Sequence, residues 1–188
     1  MMKLLSTLIL LFFSCTFAFA VDVAPPKEGE SLPEMMLPAI EDAGVQKYLG
    51  VSGGESFSVN DIQGEVLIVQ IFSMYCPHCQ SDAPFVNELY KKIQNSSQIR
   101  EKIKLLGIGA GNSNLEVDIF RQKYKVSFPL FEDERFVIHK QVGEVRTPYF
   151  IAAKKNSEGG WSVFYSKLGG IENADSFLKT IRQLSGLK

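Results

Sequence analysis

The sequence contains little cysteine and histidine, which limits the kinds of site that it can build. Only three cysteines and two histidines occur among its 188 residues. An exported protein that depends on a disulfide framework normally carries more bridges than three cysteines can form. The short loop that Cys76 and Cys79 would close also adds little stability, because the entropic gain grows with loop length. A purely structural disulfide therefore explains this pair poorly.

Charge of one sign and long apolar runs are scarce as well. Lysine and arginine number 20 against 21 acidic residues, a net charge of −1, so nothing indicates a nucleic-acid partner. Beyond residue 21 no apolar run approaches the roughly 20 residues that cross a bilayer. The composition, 45% hydrophobic and 22% charged, is that of a globular protein with one domain of about 150 residues plus extensions.

The first 20 residues differ from the rest of the chain. Lys3 precedes an apolar run that ends in Ala18-Phe19-Ala20, the arrangement of a secretory signal peptide. We predict cleavage near Ala20 and a periplasmic or otherwise extracytoplasmic protein, whose net charge becomes −2 once Lys3 is removed. Two alternatives stay open. Residues 4–21 could remain as an uncleaved membrane anchor, or Cys15 could carry a lipid.

Apolar periodicity outlines an α/β domain behind the predicted signal peptide, residues 1–20. Residues 21–34 are polar and proline-rich and predict an extended leader, with one domain over 35–188. Residues 35–50 are ambiguous, and 51–64 predict a short strand and a turn. Further strands are predicted at 65–75, 103–112, 128–133, 146–155 and 161–170, and helices at 77–94, 114–126, 134–143 and from Asn173 onward. This order predicts helices that cover a mixed sheet.

The stretch FSMYCPHCQ, residues 72–80, carries the most specific chemistry. A strand is predicted to end before Cys76 and a helix to begin at Pro77, so Cys76 lies at a helix N-terminus. Unpaired N–H groups and a partial positive charge at that end stabilise a thiolate. We predict that Cys76 is exposed, acidic and the nucleophile. Cys79, one turn later and more buried, is predicted to resolve the mixed disulfide.

Metal and haem sites explain the same cysteines less well. A zinc ion wants four ligands, and beyond residue 20 the only other cysteine or histidine ligands are His78 and His139. His78 lies between the two thiols on one helical turn and could hardly join them at a single ion, so we expect no metal. Haem attachment requires a histidine directly after the second cysteine, where this chain has Gln80.

The stretch FSMYCPHCQSDAP resembles the active site of the thioredoxin superfamily. Pro84 matches the kinking proline of that family's first helix, and Thr147-Pro148 resembles its cis-proline, with an ordinary trans proline as the alternative. The stretch SFSVNDIQGEVLIVQIFSMYC resembles the TlpA/ResA-like branch, and residues 113–143 resemble the helix-strand insertion that this branch carries before the cis-proline. Over about 27–185, the resemblance implies a thioredoxin fold, a central mixed β-sheet flanked by helices.

The resemblance also implies a function, a thiol-disulfide oxidoreductase with a CxxC motif. Cys76 and Cys79 would exchange electrons with cysteines of other exported proteins and with a membrane or periplasmic redox partner, and no cofactor beyond their own disulfide is expected. The branch favours a reductant, including one that serves cytochrome c maturation, whereas the Pro-His dipeptide resembles DsbA and favours an oxidant or isomerase. A copper-binding chaperone stays open, as does a thiol peroxidase, because Ser73-x-x-Cys76 resembles a peroxiredoxin signature.

The residues around the motif are predicted to tune it and to hold substrate. Pro77, His78 and Tyr75 are the tuning residues, and a charged His78 would favour the Cys76 thiolate and a more oxidising disulfide. His78 could instead be a solvated surface imidazole. The resemblance implies that Thr147 and Pro148 bind the substrate backbone.

Proton transfer to and from Cys79 needs a different group from the one in thioredoxins. Thioredoxins carry a buried carboxylate six residues before the first cysteine, where this chain has Gln70. A neutral amide cannot act as a general base. Water, or a carboxylate such as Glu132 or Glu134, is therefore predicted to take the proton.

Overall fold

The computed structural model describes residues 23–187. The predicted signal peptide, residues 1–20, lies outside these residues, as do the alternatives of an anchor and of a lipid on Cys15. Between residues 23 and 187, no helix combines the length and the apolar character that a membrane span requires.

From residue 66 onward, strands and helices follow one another in the predicted order. The strands are β1 (Met36–Leu37), β2 (Phe57–Ser58), β3 (Val66–Phe72), β4 (Ile103–Ala110), β5 (Leu130–Asp133), β6 (Tyr149–Lys155) and β7 (Trp161–Leu168). The helices are α1 (Ala43–Leu49), α2 (Pro77–Asn95), α3 (Asn114–Tyr124), α4 (Val137–Gln141) and α5 (Ala174–Ser185), with a 3₁₀ turn at Val59–Asp61.

Five strands form the central sheet in the order β5-β4-β3-β6-β7. β3, β4 and β5 are parallel, whereas β6 is antiparallel to β3 and β7 is antiparallel to β6. β1 and β2 form a separate antiparallel pair. The prediction of a mixed sheet flanked by helices is therefore confirmed, and α3, β5 and α4 occupy the segment predicted as the insertion, 113–143.

Helices cover both faces of the sheet, which explains why β3 is apolar at almost every position. Alternate residues of β3 point to opposite faces. Val66, Ile68 and Phe72 pack into the core that buried residues of α2, α3 and α5 complete. Leu67, Val69 and Ile71 pack on the other side, with residues of α1, α4 and the N-terminal segment.

Several strand boundaries differ from the prediction by one to three residues, and two of them lie beside the CxxC motif. β3 ends at Phe72 rather than at residue 75, because the next residues turn: the Cys76 N–H donates to the Ser73 carbonyl at 3.1 Å. β6 begins at Tyr149 rather than at residue 146, after a cis peptide bond between Thr147 and Pro148. Proline also lacks the N–H that strand pairing uses.

Helix α1 falls in the segment that sequence periodicity left ambiguous. Asp42 caps its start by accepting from the Val45 N–H at 2.9 Å, and Gly50 ends it with a φ of 70°. Leu49 is the one fully buried residue in its seven. Val45 and Tyr48 pack partly buried against the core beside it. Seven residues allow only about one turn of apolar spacing, which is why the pattern 35–50 gave no element.

The polar segment before residue 35 contacts the domain. Gly29 and Leu32 donate backbone N–H groups to β7 carbonyls, at Val163 and Trp161, each at 2.8 Å. Leu32 is also buried in the core. The boundary between an extended leader over 21–34 and the domain stays a prediction.

Candidate active site

The junction of β3 and α2 places Cys76 at the N-cap of a 19-residue helix. Pro77 occupies the first turn, where its missing N–H costs nothing. The Cys76 sulfur takes the place of the usual capping oxygen and accepts from the Cys79 N–H at 3.4 Å. The thiol of the predicted nucleophile therefore lies against the unpaired N–H groups of the helix end.

Cys76 is partly buried rather than fully exposed, because the loop before β6 covers one side of it. Its thiol donates to the Thr147 carbonyl oxygen at 3.2 Å. Burial alone would raise the pKa of Cys76, but hydrogen bonds from the Thr147 side chain and from Cys79 and His78 outweigh burial and lower the pKa below its ordinary value. The predicted acidity thus has a physical basis in this geometry.

Cys79 has the opposite character. It is fully buried and packs in the core beside Phe72 and Ala83. Burial raises the pKa of Cys79 to about 12. The structure has no disulfide bond between the two sulfurs. When the pair loses its first proton, the negative charge therefore resides on Cys76.

We expect one of the two thiols to titrate below an ordinary cysteine, because only Cys76 contacts the helix N-terminus. The measurement is the ultraviolet absorbance of the thiolate against pH in the fully reduced protein. The low transition should disappear in Cys76→Ser and persist in Cys79→Ser. A low transition that survives Cys76→Ser would contradict this assignment.

The cis peptide bond before Pro148 agrees with the sequence prediction, and the alternative of a trans proline is wrong. The Thr147 carbonyl lies beside the Cys76 sulfur although the two residues are 71 positions apart in sequence. The Pro148 carbonyl accepts from the Gly169 N–H at 2.9 Å, which joins this loop to the end of β7. Binding of substrate by Thr147 and Pro148 stays a prediction.

The three tuning residues all reach the surface around Cys76. Tyr75 is 66% exposed, and its hydroxyl donates to Glu116 on α3. Pro77 and His78 are exposed in the first turn of α2, and the His78 backbone contributes to stabilising the Cys76 thiolate. The effect of these side chains on the redox pair stays a prediction.

The carboxylates predicted for proton transfer lie on or beside β5. Glu132 is half-buried in that strand and Glu134 is exposed just after it. β4 separates β5 from β3, the strand that leads to the motif. In the described part of the chain neither carboxylate forms a hydrogen bond with Cys76 or Cys79, and their role in proton transfer stays a prediction.

Sequence reasoning missed Asp82, a buried acid three residues after Cys79. Its side chain is 5% exposed, and its Oδ1 accepts from the Ile171 N–H at 2.7 Å. Among the residues that the structure describes, Oδ2 finds no hydrogen-bond donor. Burial raises the pKa of Asp82 to about 6. A signal was available, because Asp82 interrupts the apolar stripe of α2 with a charge.

A groove runs past this acid. It has a volume of about 400 Å³. One wall is the α2 surface with His78, Ser81 and Phe85, and the other is 168–172, the segment after β7. The groove therefore opens beside the CxxC motif, where Asp82 forms part of its lining.

Between residues 23 and 187, no three histidine, cysteine, aspartate or glutamate side chains come together as ligands would. A pair of thiols remains a conceivable site for a soft ion such as Cu(I).

A CxxC pair at the start of a helix, beside a cis-proline in a five-stranded mixed sheet, defines a thioredoxin-fold protein with a candidate redox site. The model of the AhpC/TSA family matches residues 29–158, more than half of the chain. The chain therefore belongs to the AhpC/TSA family, and its resemblance to TlpA/ResA-like proteins of the thioredoxin superfamily is confirmed.

Curated relatives and solved structures agree with this placement. The thiol-disulfide oxidoreductase ResA of Halalkalibacterium halodurans is 23% identical over 105 residues, which cover 56% of this chain and 57% of that protein. The ResA of Geobacillus thermodenitrificans is 22% identical over 105 residues, 56% of this chain and 58% of its own length. The chain thus spans little more than half the length of these relatives.

The structural neighbours confirm the thioredoxin fold. The thioredoxin domain of a thiol-disulfide oxidoreductase from Bacteroides vulgatus superposes with a TM-score of 0.61 at 14% identity, over 82% of this chain and 98% of that one. StoA from Bacillus subtilis superposes with a TM-score of 0.56 at 19% identity, over 78% and 95% of the two chains.

Proposed function

We propose that this protein is an exported thiol-disulfide oxidoreductase that exchanges the Cys76–Cys79 dithiol or disulfide with cysteines of other exported proteins. One observation carries the proposal. A partly buried thiol lies at the N-terminus of α2, one turn from a fully buried thiol and 3.2 Å from the carbonyl before the cis-proline. The names of the curated relatives support the same activity.

The exchange proceeds in two displacement steps. In the reducing direction the Cys76 thiolate attacks one sulfur of a substrate disulfide, the substrate S–S bond breaks, and the departing substrate thiolate takes a proton. Cys79 then loses its proton and attacks the Cys76 sulfur. The intramolecular disulfide forms, the mixed disulfide breaks, and the second substrate thiol leaves. Two electrons pass to the substrate, and a membrane or periplasmic dithiol partner restores the Cys76–Cys79 dithiol.

The second step needs a base, because burial keeps Cys79 protonated. We assign that role to Asp82 in place of the missing carboxylate at Gln70. Asp82 follows Cys79 by three residues on the same helix, so the two side chains share one face. Its raised pKa brings the acid closer to neutral pH, where proton exchange is most effective. A water in the groove can complete the path.

Thr147, Pro148 and the groove provide the place for a substrate chain. An extended segment that lies along Thr147-Pro148 brings its cysteine to the partly buried Cys76 sulfur. Two apolar side chains line the groove, Phe85 and Leu168, and they are 41% and 47% exposed. They can contact apolar residues next to the substrate cysteine.

The direction of electron flow separates two forms of this function. We propose a reductant, including one that serves cytochrome c maturation, because the TlpA/ResA-like resemblance favours it. The acidic Cys76 favours the alternative, a DsbA-like oxidant or isomerase, since a stabilised thiolate stabilises the reduced form. Equilibration with glutathione buffers gives the reduction potential and decides between them.

Disulfide turnover tests the function directly. The mature protein should accelerate the reduction of insulin disulfides by a small dithiol, and a variant with serine at both positions 76 and 79 should not. Parallel incubations with hydrogen peroxide and with Cu(I) examine the peroxidase and copper-chaperone alternatives. Tight Cu(I) binding without disulfide turnover would contradict the proposed function and support a copper chaperone. Peroxide turnover without disulfide turnover would contradict it and support a thiol peroxidase.

A further inference from the structure

Side chains from two directions hold the turn that leads from β3 to Cys76. The Met74 N–H donates to the Asn112 Oδ1 at 2.8 Å. The Met74 carbonyl accepts from the Gln80 Nε2, also at 2.8 Å. Both polar backbone groups of a residue two positions before the nucleophile are thus fixed by side chains, one from the end of β4 and one from α2.

Asn112 is an unusual residue to find at this position. It is completely buried in the turn between β4 and α3. Within the described chain its Nδ2 has no hydrogen-bond acceptor. A buried amide whose donor has no acceptor lowers the stability of the folded state. Stability alone therefore does not account for an asparagine here, whereas its bond to Met74 does.

A second tie joins the same turn to Tyr75. The Tyr75 hydroxyl donates to the Glu116 Oε1, and the Oε2 of that carboxylate accepts from the Ser113 N–H at 2.8 Å. Ser113 in turn caps α3. Asn112 and the first turn of α3 thus contact consecutive residues, Met74 and Tyr75, immediately before Cys76.

We propose that Asn112 is a positioning residue for the redox pair, which holds the Met74 peptide so that the Cys76 sulfur lies on the N–H groups of α2. The Tyr75–Glu116 bond supports the turn from its outer side. This inference rests on the proposed function in that Cys76 is taken as the reacting thiol.

Asn112 acts on Cys76 through the contact between the sulfur and the end of α2. The Cys76 sulfur accepts from the Cys79 N–H at 3.4 Å, and the thiolate depends on that donor and on its neighbours. If the turn relaxes, the sulfur moves away from the helix end and the thiolate loses hydrogen bonds. One charge-assisted hydrogen bond contributes about 1.5–3 kcal/mol, so the thiolate population should fall about tenfold or more.

The test is the rate at which iodoacetamide alkylates Cys76 as a function of pH. It is measured in Cys79→Ser protein that begins at Val21 and so lacks Cys15, so that one thiol reacts. Asn112→Ala should raise the midpoint of this profile and slow alkylation about tenfold at pH values below the midpoint. An unchanged midpoint in a folded Asn112→Ala protein would overturn the proposal.

Asn87→Ala is the matched control. Asn87 is also a buried asparagine, and its Nδ2 donates to the Tyr124 carbonyl at 2.9 Å, so it ties α2 to the far end of α3. Its removal should lower stability and leave the alkylation midpoint unchanged. An equal shift in both variants would mean that general loosening, and not the Met74 contact, sets the midpoint, and would also overturn the proposal.

Two further arrangements keep the test decisive. If Asn112→Ala does not fold, Asn112→Leu removes the acceptor from Met74 while it keeps the side-chain volume, and its midpoint decides in the same way. Alkylation does not require disulfide exchange. If the protein does not turn over insulin but the alkylation midpoint still shifts in the Asn112 variant, only the proposed function is refuted. If the protein turns over insulin and the midpoint does not shift, only the positioning role is refuted.

Discussion

Replacing Cys79 by serine should let the protein capture substrates without releasing them. Cys76 keeps its place at the helix end, so the first displacement and the mixed disulfide still form. The second displacement is lost, because no thiol remains one turn away. Turnover should fall by at least about 10³-fold, since an intramolecular nucleophile acts at an effective concentration far above that of millimolar external thiols.

Covalent complexes measure this effect. Reduced Cys79→Ser protein mixed with a disulfide-containing substrate should give a band on a non-reducing gel with the combined mass of protein and substrate. Dithiothreitol should reduce the mixed disulfide and remove this band. Cys76→Ser is the matched control, since it keeps Cys79 and should give no complex because that thiol is fully buried. Covalent complexes formed by Cys76→Ser would mean that Cys79 is the nucleophile. Turnover of Cys79→Ser at the wild-type rate would mean that Cys79 is not needed to resolve the mixed disulfide.

Replacing Asp82 by asparagine should slow turnover and at the same time stabilise the protein at neutral pH. Asparagine keeps an acceptor for the Ile171 N–H but cannot take the Cys79 proton. General-base contributions are typically about 10²–10⁴-fold, and the lower end is expected where water can substitute. The single-turnover rate of disulfide formation after capture isolates this step.

The stability effect follows from the raised pKa of Asp82. Because the folded state binds this proton more tightly than the unfolded chain, the contribution is fully present below the ordinary pKa of 3.8 and is lost as the pH rises through about 6. Each factor of ten in proton affinity is worth about 1.4 kcal/mol, so the loss approaches 3 kcal/mol. Asp82→Asn should remove this loss.

Urea unfolding near pH 4 and above pH 7 measures the difference. The variant should gain stability over the wild type at the higher pH, and the gap should close at the lower one. Asp42→Asn is the control, because Asp42 is an exposed cap of α1 and should show neither the gain nor a slower turnover. Turnover of Asp82→Asn at the wild-type rate would contradict the role of Asp82 as the base. Another group would then take the Cys79 proton, and Glu132 and Glu134 are the predicted candidates.

Much of the fold was predictable because its signals are local. The continuous apolar run of β3, the change to helical spacing after Cys76, and the cap at Asn173 each lie within a short window of sequence. The position of the two thiols was predictable for the same reason. Pro77 indicates that a helix begins directly after Cys76, and Cys79 follows within its first turn. Helix α1 was not predicted because its seven residues are too few for apolar spacing to repeat.

The supporting half of the site was not predictable from such windows. Met74 and Asn112 are 38 residues apart, and Asp82 and Ile171 are 89 apart. Their contacts depend on which strands are neighbours and on where β4 and β7 end, and no local period encodes either. The partial burial of Cys76 has the same origin, because the loop that covers it arrives with β6.

By itself, the order of amino acids determined that two thiols would share the first turn of a helix at the end of a buried strand, because backbone preferences and apolar spacing act over a few residues. Only the tertiary structure decided which carboxylate lies buried near them and which amide holds the turn before them. Those choices arise from packing between distant segments, where burial changes proton affinity and each hydrogen-bond partner is selected by position.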